Sequence, residues 1–207
     1  MDYRENENNK VMLQGKITMP FSLHVTYEDE SFYKTELEVE RLSGRTDTIK
    51  LLVSEKLVNV EEDCTGRFVR VNAQFRSYNQ REGNKTHLIL HAFVREWYFM
   101  DSGKGVSGEN EITLNGFLCK PPVYRRTPLG RQITDLLLAV NRAYGKTDYI
   151  PCVAWGRNAK VSAGFKVGDQ IQVSGRIQRR EYDKKTADGV VKKIAYEVSI
   201  SKLNLVE

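Results

Sequence analysis

The chain has 207 residues, 40% hydrophobic and 29% charged, with a formal net charge of +5. That is room for one large or two small packed domains, and no stretch approaches the roughly 18 uninterrupted apolar residues that a membrane span needs. Cys64, Cys119 and Cys152 are far apart and form no CxxC, which argues against a disulfide framework or zinc ribbon and for free thiols in a reducing cytoplasm.

In chain order, the polar start MDYRENENNK carries no apolar signal segment, so a soluble, cytoplasmic protein is expected. Alternating apolar residues then predict strands over 11–17, 33–42, 48–53, 67–78 and 86–99. A helix slot near 55–60 is poorly defined. DSGKGVSGEN, 101–110, reads as a Gly- and Ser-rich linker. Beyond it, strands are predicted over 112–118, 131–141, 149–155, 170–182 and 192–205, with one or two helical turns over 158–165. The leucines of 131–141 also suit a helix.

The two series are copies of one unit. GRTDTI at 44–49 faces GKTDYI at 145–150, and Leu13-Gln14-Gly15 faces Leu114-Asn115-Gly116, both at an offset of 101. The Gly66 to Val71 segment faces Gly168 to Val173 at 102. Five strands with a short helix after the third is the order of an oligonucleotide-binding (OB) barrel. The expected fold is therefore all-β with short helices: two tandem five-stranded OB-fold barrels, at 1–100 and 111–207, joined by the linker 101–110.

Charge separates the copies. Residues 1–105 hold fifteen Lys and Arg against seventeen Asp and Glu, a net of −2, whereas residues 106–207 carry +7. A polyanion would prefer the second half. Strand alternation puts Tyr149, Pro151, Val153 and Trp155 on one face. It also puts Arg176, Gln178, Arg180 and Tyr182 together, opposite Ile171, Val173 and Ile177. Single-stranded nucleic acid needs cations for its phosphates and flat rings for its bases, each stack contributing about 1–3 kcal/mol. The candidate cations are Arg125, Arg126, Arg131, Arg142, Arg157, Arg176, Arg179, Arg180, Lys184 and Lys185. The candidate platforms are Tyr149, Trp155, Tyr182 and Tyr144. An aromatic in a strand is more often core, and a lone Arg more often a solvated face. Pro151 cannot donate to a ladder, so an edge or bulge is expected there.

From Asn110 to Leu205 the sequence resembles the bacterial single-stranded DNA-binding protein family. The resemblance rests on NEITLNGFL, RRTPLGRQITDLLLAVNR, TDYIPCVAWGRNA, VGDQIQVSGRIQRREY and AYEVSISKLNL, in that order and spacing. It implies that Tyr149, Trp155 and Tyr182 stack on bases, with Tyr144 at a fourth aromatic position, and that Arg125 or Arg126 is the basic residue before the second strand. It also implies sequence-independent coverage of single-stranded DNA in replication, recombination or repair, in the nucleoid. Family members usually end in an acidic recruiting tail. This sequence stops at Glu207, so tail-mediated recruitment of replication proteins is in doubt. Two barrels per chain would reach the family's usual four as a homodimer.

The first copy lacks the platforms: Tyr149, Trp155 and Tyr182 map onto Thr48, Ser54 and Gln80. Reduced DNA contact and a role in subunit pairing are expected of it. His87 and His91 are expected on one face of a strand, not in a metal pair. No Walker A, GxSxG or HExxH motif occurs. No catalytic residue, metal or cofactor is therefore expected. The alternative to DNA coverage is a primosomal-type module that bridges replication proteins and binds nucleic acid weakly.

Overall fold

A computed structural model of the chain describes residues 8–41, 43–83, 85–101, 108–186 and 189–206. Five strands of the first half, β1 (Asn9–Ile17), β3 (Glu30–Glu40), β4 (Thr46–Ser54), β5 (Phe68–Glu82) and β6 (Lys85–Phe99), close into a ring in the order β1-β3-β4-β6-β5. The second half repeats this with β7 (Glu109–Leu118), β9 (Gln132–Asn141), β10 (Thr147–Trp155), β11 (Gln170–Thr186) and β12 (Gly189–Leu205), ordered β7-β9-β10-β12-β11. Both are five-stranded OB barrels. Each also carries a short outer strand that periodicity did not reveal: β2 (Ser22–Tyr27) on β3, and β8 (Val123–Arg126) on β9.

The strand patterns follow from alternation. In β10, Asp148, Ile150, Cys152 and Ala154 are buried between less buried neighbours. The stretch 131–141 is strand and not helix, because Leu136, Leu138 and Val140 alternate inward along β9. Helix α1 (Gly156–Ser162) closes the second barrel, Ala159 being fully buried and its carbonyl accepting from Thr134 Oγ1 at 2.7 Å. The corresponding stretch of the first half, 55–60, forms turns. No register shift occurs at Pro151. The β10–β12 ladder instead begins just after it and consists of Cys152 and Val153.

The repeated glycines have one cause. Gly15 and Gly116 lie where the first strand crosses to close each ring, and a Cβ on either would collide with the facing carbonyl of Glu38 or Ala139. Ring closure thus requires the glycine of the LQG and LNG motifs.

The halves are joined by one antiparallel ladder, β1 on β7, which makes a continuous twelve-stranded sheet. Its register is reciprocal. Asn9 faces Leu114 and Leu13 faces Asn110, so a local two-fold passes through the Val11–Ile112 pair. The linker expected over 101–110 therefore ends early: Glu109 and Asn110 already belong to β7, while 102–107 lie outside the described residues.

Further contacts obey the same two-fold. Asp47 is ion-paired with Arg41 and accepts the Arg179 amide of β11 at 3.3 Å. Asp148 is ion-paired with Arg142 at 2.9 Å and accepts the Ser77 amide of β5 at 2.7 Å. Each half thus lends one buried aspartate to the other. Burial pushes the Asp148 carboxyl above its ordinary range, against the opposing pull of Ser77 and Arg142. The TD pair that revealed the repeat is the junction.

Candidate nucleic-acid interface

The outward face of β8, β9, β10, β12 and β11 can be read row by row from the strand register. At one end Arg125, Ile133 and Trp155 lie opposite one another. Val123, Asp135 and Val153 form the next row. At the other end lie Phe117, Ala139 and Tyr149. Tyr149 and Trp155 are six positions apart, about 20 Å along a strand. Gln178 and Glu197 continue the face across β11 and β12, followed by Arg180 and Tyr182.

Tyr149, Trp155 and Tyr182 keep 44%, 37% and 39% of their surface exposed. The barrel interior is filled by Ile150, Cys152, Ile177 and Val198, so these rings have no place in the core. Trp155 leads into α1, where Arg157 is exposed. Arg126 and Arg131 flank the β8–β9 turn just beyond the Trp155 row, both exposed, although Arg126 has the opposite strand parity to Arg125. Tyr144 lies in the 3₁₀ turn Ala143–Gly145 beyond the Tyr149 end. The side chains of Tyr144, Lys184 and Lys185 lie outside the described residues.

Two expected cations are drawn into the junction instead. Arg142 is committed to the fully buried Asp148. Arg176 points with Gln178 but is half-buried where β11 meets the first half. Burial lowers its pKa, and Arg41 adds to the effect. Gln178, expected on an open outer face, is itself buried, its amide donating to Glu197 Oε1 at 2.8 Å. Arg179 pairs with Glu181 at 3.0 Å.

Periodicity also missed two acids. Arg125 donates to both carboxylate oxygens of Asp135, at 2.7 and 3.3 Å, which raises its pKa. Arg180 likewise donates to both carboxylate oxygens of Glu197, at 3.1 and 3.3 Å, and its guanidinium lies 5.2 Å from the Tyr182 ring. A phosphate approaching either arginine competes with a carboxylate already in place. Phe117 and Tyr124 are two further exposed aromatics that went unnoticed. The strand pattern of LNGFL and the adjacent VYRR could have indicated them.

Residues 109–206 match the model of the Single-strand binding protein family. The second half of the chain is thus similar to the single-strand binding protein family. Similar single-strand binding proteins include the "Single-stranded DNA-binding protein" of Clostridium tetani, 40% identical over 83 residues, covering 37% of this chain and 57% of that protein. Another is "Single-stranded DNA-binding protein A" of Bacillus subtilis, 40% identical over 81 residues, covering 36% and 47%. The chain spans about half the length of the curated relatives it matches. Among solved structures, the wild-type single-stranded DNA binding protein from Thermus aquaticus aligns with 96% of this chain and 93% of its own, at a TM-score of 0.76 and 18% identity. That likeness extends the architecture across both halves. The single-strand binding family match itself covers β7 to β12 and leaves β1 to β6 outside.

Proposed function

We propose that this protein binds single-stranded DNA without sequence preference across the outer face of its second barrel. The bases stack on Tyr149, Trp155 and Tyr182, and the phosphates meet Arg125, Arg126, Arg131, Arg157 and Arg180. The observation that carries this is the register. Arg125 of β8, Tyr149 and Trp155 of β10, and Arg180 and Tyr182 of β11 share one continuous face by register, with the three rings exposed. The names of the relatives support the same reading. Such coverage fits protection of DNA strands in replication, recombination or repair, in the cytoplasm. Two chains pairing as a homodimer would bring four barrels together.

Tryptophan fluorescence tests the proposal. Trp97 is partly buried between Phe21 and Phe99, at 5.8 and 5.9 Å, whereas Trp155 is exposed. In a Trp97→Phe variant, poly(dT) should quench the remaining Trp155 signal, and salt should reverse the quenching. Log affinity should fall with log salt by about 0.7 per phosphate neutralised. An unquenched Trp155, or quenching indifferent to salt, would overturn the assignment of this face.

A further inference from the structure

The first half lacks the open platforms, and its equivalent face is built differently. Register places Lys34 of β3 where β9 has Asp135, and His91 of β6 where β12 has Glu197. The acids of one groove are thus a lysine and an imidazole in the other. The β2–β3 and β5–β6 hairpins curl toward one another above β4. His24 reaches Tyr78 at 6.0 Å between ring centres, and Tyr78 reaches His91 at 5.6 Å. Behind this wall of three rings lies an open cavity of about 280 Å³, lined also by Leu52 and Ile89 and bordered by Lys34, Lys50 and Glu36.

The lining selects for a particular chemistry. Three aromatic rings offer faces and edges to a flat ring. His91 is held neutral, its pKa lowered to about 4 by burial and by Arg76, so its imidazole presents one donor and one acceptor. Lys34 has its pKa lowered by burial and by the neighbouring Lys50, a crowding of like charge that an anion would relieve. The volume falls just below the roughly 300–1,000 Å³ of drug-sized sites. A space of this size suits one nucleotide unit.

We propose that this cavity takes a single nucleotide, its base against His24, Tyr78 and His91 and its phosphate at Lys34 and Lys50. The nucleotide is either a free mononucleotide or one unit of a bound strand. For the second source the inference rests on the DNA-binding reading above. The cavity adjoins the second half, since the Lys50 ammonium lies 5.6 Å from the centre of the Tyr196 ring on β12.

The chain has three histidines, His24, His87 and His91, so imidazole NMR signals of the full-length protein report on the cavity directly. His87, exposed beside Glu82, is the internal reference. The probes are dAMP, dTMP, inorganic phosphate and a dT oligomer. Saturable shifts of His24 and His91 with His87 unmoved are expected from the mononucleotides or the oligomer. Response to both means that either source is accepted, and response to the oligomer alone identifies the strand. Lys34→Gln and Lys50→Gln, both on the rim, should each weaken the response about tenfold. Equal shifts from phosphate alone would reduce the site to an anion site and overturn the base assignment. Unmoved His24 and His91 at saturating oligomer, with Trp155 still quenched, would overturn this inference and leave the DNA-binding reading intact. If Trp155 is unquenched as well, both fall.

Discussion

Removing a negative charge at Asp135 should tighten DNA binding. Arg125 and Asp135 form a two-pronged ion pair whose side chains are 47% and 40% exposed. A pair so open to water is worth about 0.2–1 kcal/mol. If Arg125 leaves Asp135 to meet a phosphate, that amount is subtracted from binding. Asp135→Asn abolishes the competition, so affinity for a dT oligomer should rise by about 1.5- to 5-fold, each 1.4 kcal/mol being tenfold. The plot of log affinity against log salt should steepen toward one further phosphate, a change of about 0.7. Fluorescence titration of wild type and variant across a salt series reads both quantities. Thermal stability should fall by less than about 1 kcal/mol, because the lost pair is exposed. Unchanged or weaker binding with the same slope would refute the reasoning and show that Arg125 does not reach phosphate.

Other outcomes follow from the same geometry. Trp155→Ala and Tyr149→Ala should each weaken oligonucleotide binding by about 1–3 kcal/mol with the thermal transition intact; a collapsed transition with full affinity would make the ring core. Asp148→Ala leaves Arg142 unpaired and takes the acceptor from the Ser77 amide, so urea denaturation should report a loss of about 3–5 kcal/mol. His91 titrates near 6.5 when unfolded and near 4 in the fold. The stability it contributes is complete above pH 6.5 and is lost as pH falls toward 4, reaching up to about 3 kcal/mol. Asp148, with its raised pKa, acts in the opposite sense as pH falls. Comparing acid denaturation of wild type with His91→Gln isolates the histidine, and parallel curves would contradict its burial. A fragment of residues 109–206 exposes the β7 edge that β1 covers, and should self-associate through it in sedimentation at rising concentration.

The barrel strands were legible because each buries every second residue, and burial is what periodicity records. The outer strands β2 and β8 were not, since VYRR is exposed at all four positions and carries no alternation. Tyr149 and Trp155 could be placed on a face from their own strand alone. The fate of Arg142 could not, because its partner is a buried aspartate whose role depends on the other half of the chain. Asp135 and Glu197 escaped for the same reason: each faces an arginine on a different strand. Alternation tells which way a side chain points but not which charge will be waiting there. The repeat was visible in GRTDTI and GKTDYI, yet what those residues do became clear only when Asp47 and Asp148 met the opposite β-hairpins.

The reciprocal β1–β7 ladder has a consequence for how such a molecule can change. In a pair made of two identical chains, any substitution strikes both sites at once. Here each strikes one. Only the seam is held to symmetry, where Asn9 matches Asn110, Arg41 matches Arg142 and Asp47 matches Asp148. Away from the seam the halves vary independently, and an open row of aromatics can coexist with a histidine-lined cavity. The covalent join also fixes the two kinds of surface at one of each per chain, whatever the protein concentration.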